Sequence, residues 1–139
     1  KSNMLSYEKL MQKAIEARQN AYAPYSGFKV GAALLTDTGK IYKGCNIENA
    51  AYGLCNCAER TAFFKAISDG ERKFAAIAIC GEGNGECFPC GACRQVMEEF
   101  CCSDFVIVLC DNGALKTYSL DDLLPHAFCA KNISDQKGE

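Results

Sequence analysis

Apolar residues near the start of the chain recur at every third or fourth position, as they do on one face of a helix. Leu10, Met11 and Ala14 begin this pattern, which predicts an amphipathic helix over residues 6–20. Ser6 stands just before the pattern and is predicted to cap the helix. A proline four residues beyond the helix prevents it from continuing, so a loop is expected to follow.

Five short segments predict β-strands, because they are rich in apolar or β-branched residues and are bounded by turn sequences. They cover residues 28–36, 41–46, 74–80, 105–110 and 114–118. Asp37-Thr38-Gly39 separates the first two strands, and Asp111-Asn112-Gly113 separates the last two. Both are tight-turn sequences, so each pair of strands is predicted to form an antiparallel hairpin.

Further helices are predicted between the strands, over residues 58–68 and 91–102. A short helix should begin at Ser119 and end before Pro125. Helices that alternate with buried strands indicate a mixed sheet enclosed by helical layers. We therefore predict one α/β domain over residues 1–139, a three-layer α/β/α fold with a five-stranded mixed sheet and a flexible tail from about residue 131.

Composition excludes several classes of partner. Apolar residues make up 49% of the chain, charged residues 23%, and the net charge is −2. No cluster of Lys and Arg indicates a surface for nucleic acid, and no apolar run is long enough to cross a membrane. The sequence also lacks a secretory signal pattern, so a cytoplasmic protein is expected.

Eleven cysteines are an unusually high number for 139 residues. Their odd count and the absence of a secretory signal argue against a disulfide framework. We therefore expect reduced thiols, with a subset of them binding a metal ion.

Three of these cysteines and one glutamate form the most specific pattern in the chain. Cys57 precedes Glu59 by two residues, and Cys90 and Cys93 stand three apart at a predicted helix start. Cys57 and Glu59 can face one site only if Cys57 lies at the helix entrance, before regular helical geometry begins. Three thiolates and a free carboxylate predict a catalytic Zn²⁺ site with one ligand position open to water, whose pKa the metal would lower.

A structural zinc site is the alternative interpretation. It would use a fourth cysteine, Cys55 or Cys87, and would leave Glu59 without a chemical role. Under this interpretation, the chain would be a non-catalytic four-cysteine zinc-binding protein.

A resemblance adds to this pattern. C-x-E followed by P-C-x-x-C matches the signature of zinc-dependent nucleobase deaminases, with Cys in place of His. The segments 20–26 (NAYAPYS), 30–35 (VGAALL), 44–50 (GCNIENA), 57–62 (CAERTA) and 89–95 (PCGACRQ) resemble the short, homotetrameric, three-cysteine cytidine deaminases. The likeness extends from about residue 10 to residue 128.

The resemblance implies a role for each matching position. Cys57, Cys90 and Cys93 match zinc ligands, and Glu59 matches the residue that shuttles protons. The positions that match nucleoside-binding residues are Phe28, Asn46, Glu48 and the backbone at Ala58. Arg60 matches a residue that bonds to ligand sulfur, and Gln95 matches one that lies close behind the site. Tyr52 and Phe128 match residues that reach the site from neighbouring subunits.

The expected reaction is zinc-dependent hydrolysis of cytidine and 2′-deoxycytidine to the uridines with release of ammonia, a step of pyrimidine salvage. A modified cytosine nucleoside, such as an aminoacyl-nucleoside antibiotic, is an alternative substrate because the same zinc motifs serve both. The carboxylate of Glu48 would repel a 5′-phosphate, which favours a free nucleoside. The hairpin predicted at residues 111–113 leaves no room for the crossover helix of polynucleotide deaminases, and no basic groove supports that substrate.

Overall fold

The computed structural model of the chain describes residues 6–136. The elements follow one another as α1 (Tyr7–Arg18), β1 (Val30–Thr36), β2 (Ile41–Cys45), a short 3-10 turn (Tyr52–Leu54), α2 (Ala58–Ser68), β3 (Phe74–Gly81), α3 (Gly91–Phe100), β4 (Val106–Asp111), β5 (Ala114–Ser119), α4 (Leu120–Leu123) and α5 (Ala130–Gln136).

The five strands form one mixed sheet in the order β2-β1-β3-β4-β5. β3 and β4 pair in parallel, and the other neighbouring strands pair antiparallel. α1 packs on one face around Leu10 and Ala14, whereas α2, α3 and α4 cover the other face around Phe63, Met97 and Leu120. The predicted three-layer α/β/α fold with a five-stranded mixed sheet is therefore confirmed.

Turn chemistry sets both hairpins as predicted. β1 pairs with β2 across residues 37–40, and β4 pairs with β5 across Asn112 and Gly113. These two residues have φ values of 52° and 87°, in the left-handed region that a two-residue hairpin turn requires and that Asn and Gly adopt most readily. The sheet edge at β5 is thus reached directly, without a crossover helix.

A glycine on β2 allows α2 to lie unusually close to the sheet. A Cβ atom at Gly44 would stand 2.5 Å from the carbonyl oxygen of Ala58 and 2.5 Å from the amide nitrogen of Ala62. Such distances are far below van der Waals contact, so no larger residue fits without moving the helix. This contact fixes the position of the first turn of α2 over the sheet.

The first and last helices of the described chain both begin with a side-chain hydrogen bond to a backbone amide. The hydroxyl of Ser6 accepts a hydrogen bond from the amide of Lys9 at 3.2 Å, which confirms the predicted cap of α1. Residues 130–136 form α5, a helix that the sequence analysis does not predict, and the flexibility expected from about Lys131 stays a prediction. The side chain of Asn132 accepts a hydrogen bond from the amide of Cys129 at 2.8 Å and so caps this helix, a local bond that apolar periodicity does not reveal. Residues 137–139 lie outside the described part of the chain.

Among residues 6–136, no helix has the length and the hydropathy that a membrane span requires.

Candidate metal centre

The starts of two helices meet at the predicted metal site. Cys57 is the N-cap of α2 and Cys90 is the N-cap of α3, and both have extended backbone conformations with ψ values of 157° and 170°. Cys93 lies in the first turn of α3 and is buried. Cys57 thus stands at the helix entrance, as its spacing to Glu59 requires, and the exposed amides of both helices favour negative charge here.

The three cysteine sulfurs are spaced as a tetrahedral zinc ion demands. Cys57 Sγ lies 3.7 Å from Cys90 Sγ, which lies 3.6 Å from Cys93 Sγ. All three lie within 4.8 Å of one another. Zinc–sulfur bonds of about 2.3 Å in tetrahedral geometry place two sulfurs about 3.8 Å apart, so the donor set fits Zn²⁺.

The two other cysteines considered as ligands do not join this cluster. The sulfur of Cys55 contacts Asn49, accepting from its amide at 3.3 Å. The sulfur of Cys87 faces the backbone of Gly81. Since neither belongs to the group of sulfurs within 4.8 Å, the four-cysteine interpretation lacks its fourth ligand.

Arg60 supplies positive charge to the sulfurs from the first turn of α2. Its Nη2 donates to Cys57 Sγ at 3.3 Å, and its Nε is buried without a hydrogen-bond partner among the described residues. Hydrogen bonds from Cys93, then from Arg60 and Cys90, lower the pKa of Cys57 to about 5 despite its partial burial. Cys57 is therefore a thiolate at neutral pH, ready to bind a cation.

The pKa of Cys93 moves in the opposite direction. The hydrogen bond to Cys57 raises it, and burial and the nearby charges of Glu59 and Cys57 add to the effect. The metal-free cluster thus keeps a proton that metal binding would release.

Glu59 lies beside the cluster as a buried carboxyl group, only 4% exposed. Burial raises its pKa to about 7; its own backbone amide opposes this shift, and the charge of Cys57 adds to it. A carboxyl group whose pKa lies near neutrality can both take up and release a proton at physiological pH. Such perturbed groups are frequent at catalytic sites.

Glu48 organises the loop that precedes β1. Its Oε1 accepts hydrogen bonds from the amides of Tyr25 at 2.9 Å and Ser26 at 3.1 Å, and its Oε2 accepts one from the Ser26 hydroxyl at 2.5 Å. The hydroxyl bond of Ser26 and then its amide lower the pKa of Glu48. Ser26 is not among the predicted site residues, although a serine before a glycine in a loop is a common hydrogen-bonding position.

Asn46 joins the same loop to the start of β1. Its side chain donates to the carbonyl of Phe28 and accepts from the amide of Val30, both at 2.9 Å. The ring of Phe28 points towards Gly81 and Cys87, where a Cβ atom on Gly81 would stand 2.7 Å from it. Asn46 therefore fixes the backbone on both sides of Lys29, and with it the direction of Phe28.

A cavity of about 270 Å³ adjoins this loop. It is lined by Tyr25, Ser26, Glu48, Tyr52 and Cys55. The rings of Tyr25 and Tyr52 meet edge to face, with centroids 6.0 Å apart. The structure thus gathers Glu48 and Tyr52 at one cavity, whereas Phe128 lies 60% exposed on another segment, its carbonyl bonded to the side chain of Gln95 at 2.8 Å.

A smaller cavity of about 180 Å³ lies elsewhere, between the glycine-rich loop 81–85 and the turn at residues 112–113. Cys80 and Cys110 line it, but no predicted site residue does. Because it lacks the sulfur cluster and the buried carboxyl group, we assign the chemistry to the metal centre and not to this cavity.

Comparisons with known proteins agree with this geometry. The model of the cytidine and deoxycytidylate deaminase zinc-binding region matches residues 4–109. Cytidine deaminase from Sporosarcina psychrophila is 50% identical over 131 residues, 94% of this chain and 96% of the relative, and that from Halalkalibacterium halodurans is 50% identical over 127 residues, 91% and 96%.

Solved structures show the same relationship. A crystal structure of cytidine deaminase from Burkholderia pseudomallei has a TM-score of 0.86 and 54% identity, and the match covers 89% of this chain and 100% of that one. The cytidine deaminase of Mycobacterium tuberculosis has a TM-score of 0.79 and 40% identity, with 89% and 98% covered. With its three-sulfur zinc site, its fold and these relatives, the chain belongs to the family of zinc-dependent cytidine deaminases.

Proposed function

We propose that this chain hydrolyses cytidine and 2′-deoxycytidine to uridine and 2′-deoxyuridine with release of ammonia, as a step of pyrimidine salvage. One observation carries the proposal: the buried Glu59 carboxyl group stands beside three cysteine sulfurs that match a zinc ion. Three sulfurs leave one position of a tetrahedral ion for a group from outside the protein. Glu59 is thus free to move protons at that position.

Zinc, when bound, supplies Lewis-acid activation of a water molecule at neutral pH. The residues of this chain do the rest. Glu59 accepts a proton from the attacking water and gives it to ring nitrogen N3 as the oxygen adds at carbon 4. It then takes the remaining proton from the oxygen added at carbon 4 and delivers it to the departing amino group, which leaves as ammonia as the carbon–nitrogen bond breaks. A carboxyl group whose pKa is about 7 is suited to both directions of transfer.

Nucleoside binding is proposed for the loop that precedes β1 and for the start of α2. The Phe28 ring would lie against the pyrimidine, and the backbone at Ala58 and Cys90 would bond its polar edge. Asn46 and Glu48 would bind the ribose hydroxyls. A carboxylate offers about four acceptor positions, and Glu48 uses three within the loop, so one remains for a hydroxyl.

The same carboxylate argues for a free nucleoside. The hydrogen bonds to Ser26 keep the pKa of Glu48 low, so its negative charge persists at neutral pH. A 5′-phosphate close to it would be repelled. Cytidine should therefore be a better substrate than cytidine 5′-monophosphate.

A homotetramer is proposed as the working form, with sites completed by neighbouring subunits. Two exposed aromatic side chains support this proposal: Tyr52 is 73% exposed and Phe128 is 60% exposed. Aromatic residues are enriched in protein interfaces, where association removes their exposed ring surface from water. A cytoplasmic location is proposed with it, since all eleven cysteines are free thiols, as they are in reducing compartments.

The test is the fall in ultraviolet absorbance when the zinc-loaded protein acts on cytidine, 2′-deoxycytidine and cytidine 5′-monophosphate at equal concentrations. We expect turnover of both nucleosides and little of the nucleotide. A mixture of cytidine with an aminoacylated cytosine nucleoside separates the two nucleoside classes. No turnover of cytidine by zinc-loaded protein, or a clear preference for the aminoacylated compound, would refute the proposal.

A further inference from the structure

Arg94, in the second turn of α3, connects two distant parts of the chain. Its Nε donates to the carbonyl oxygen of Pro89 at 2.7 Å, and its Nη1 donates to the carbonyl oxygen of Leu123 at 2.6 Å. One carbonyl lies just before α3 and the other ends α4. A single planar guanidinium group therefore holds both backbone segments at once.

The first of these carbonyls belongs to the peptide that carries a zinc ligand. Pro89 is buried and immediately precedes Cys90, so its carbonyl needs a hydrogen-bond partner inside the protein. Arg94 supplies that partner and thereby fixes the plane of the Pro89–Cys90 peptide bond. The orientation of that plane determines where the backbone of Cys90 begins and where its amide points.

The second carbonyl begins a segment without regular structure, residues 124–129, which we call the C-terminal strap. Arg94 bonds to Leu123 at one end of the strap, and the neighbouring Gln95 bonds to the carbonyl of Phe128 near the other end. Between them the strap turns at His126, whose φ is 54°. Two consecutive side chains of α3 thus hold the strap, which carries the exposed Phe128 ring.

We infer that Arg94 is a positioning residue that holds the peptide of Cys90 and the C-terminal strap in a fixed relation. Its bond to the Pro89 carbonyl orients the backbone of the metal ligand Cys90, and its bond to the Leu123 carbonyl holds the start of the C-terminal strap, which carries Phe128. The catalytic consequence rests on the proposed function, whereas the effect on the metal centre and on the strap does not.

Lysine cannot replace Arg94 in this role. A guanidinium group offers several donors in a rigid planar fork, whereas an ammonium group is a compact charge on a flexible stem. Arg94→Lys keeps the positive charge but cannot bond to both carbonyls in the same geometry. A role for charge alone would leave this variant unchanged, so the substitution separates geometry from charge.

The experiment compares Arg94→Lys with the matched control Arg72→Lys. Arg72 also donates to two backbone carbonyls, those of Ile67 and Glu71, but it lies beyond the C-terminal end of α2. Zinc affinity is measured by competition with a chelator, and hydrogen exchange is measured at the amides of Leu124 and Cys129. Both amides are hydrogen-bonded in the structure.

We expect Arg94→Lys to weaken zinc binding by about tenfold, in the range found for residues that orient metal ligands. Exchange at Leu124 and Cys129 should become faster, and KM for cytidine should rise. In a Phe128→Ala background, Arg94→Lys should no longer change KM but should still weaken zinc binding. Arg72→Lys should match the parent protein in all three measurements.

Parental zinc affinity and parental strap exchange in Arg94→Lys would overturn the inference, whether or not the protein deaminates cytidine. An undiminished effect on KM in the Phe128→Ala background would overturn the link to Phe128. If Arg94→Lys fails to fold, Gln95→Met decides the role of the strap. This variant should speed exchange at Cys129 with zinc affinity retained, and unchanged exchange there would contradict the inference.

Discussion

Glu59 is buried in a position where its ionised form is costly, and this cost should be measurable in the metal-free protein. Its pKa is about 7 in the folded chain, against an ordinary value of 4.5. The folded state therefore binds this proton more tightly than the unfolded state does. The contribution of this proton to the free energy of unfolding is fully present below the pKa that Glu59 has in the unfolded chain, and it is lost as the pH rises through the pKa of the folded chain.

Glu59→Gln removes this ionisation and should stabilise the metal-free protein at pH 8. The gain should reach at most about 3 kcal/mol and should disappear below about pH 4.5, because one pKa unit corresponds to about 1.4 kcal/mol. Urea unfolding of chelator-treated protein at both pH values measures the difference. Glu99→Gln, an exposed position on α3, is the control, and equal stability of Glu59→Gln and parent at pH 8 would contradict the assigned environment.

At the residue scale, local spacing was sufficient for some positions and insufficient for others. The short sequence separations between Cys57 and Glu59 and between Cys90 and Cys93 were sufficient to predict the metal cluster, because short spacings at helix starts constrain side-chain direction. The bonds of Glu48 to Ser26 and of Arg94 to Leu123 join residues 22 and 29 positions apart. Nothing in a single sequence specifies such partners before the fold is known.

At the scale of elements, α2 owes its position to a missing side chain on β2. The helix lies so close to Gly44 that a methyl group there would overlap the backbone at Ala58 and Ala62. Displacement of α2 would carry Cys57 and Glu59 away from the sulfurs on α3. The packing of one strand against one helix therefore governs the geometry of the metal centre.

Gly44→Ala should destabilise the protein by about 1–3 kcal/mol, as overpacking commonly does, and should reduce zinc retention. Thermal unfolding and zinc content after gel filtration measure the two effects. The control is Gly83→Ala, where an added Cβ meets no atom within 4 Å. Parental zinc content in a folded Gly44→Ala protein would show that α2 is not held by this contact.

The elements that the sequence predicted well are those bounded by characteristic turn or capping residues. Turn residues at 37–39 and 111–113 marked both hairpins, and Ser6 marked the start of α1, because each residue type has a local conformational reason to be there. α5 was missed because its cap depends on the side chain of Asn132, in a segment whose polar composition is typical of a frayed tail. The β3–β4 parallel pairing depends on α3, a connection whose geometry only the folded chain supplies.

At the scale of the whole molecule, two aromatic side chains that we propose to take part in neighbouring sites are mostly exposed. Tyr52 and Phe128 lie on separate segments, and both rings are mostly exposed in the single chain. In the proposed homotetramer, a neighbouring subunit's Phe128 would complete a site whose Glu59 belongs to this chain. The two residues should then act in trans.

Mixing two defective variants tests this arrangement. Glu59→Gln and Phe128→Ala should each be much less active than the parent when assembled alone. Hybrids formed by mixing and reassembly contain sites in which Glu59 comes from one variant and Phe128 from the other. We expect the mixture to be more active than the average of the two variants, and an activity equal to that average would place Phe128 outside the neighbour's site.

In the proposed reaction, Glu59 moves protons while water oxygen is added to carbon 4 of a cytosine nucleoside. This reaction is tested by incubating zinc-loaded protein with cytidine in water enriched in heavy oxygen and analysing the product by mass spectrometry. We expect uridine that carries one heavy oxygen and one ammonia for each uridine. Glu59→Gln with the same zinc content should react at least a hundredfold more slowly, since general acid–base catalysis contributes about 10²–10⁴-fold. Uridine without heavy oxygen, or an undiminished rate in Glu59→Gln, would contradict it.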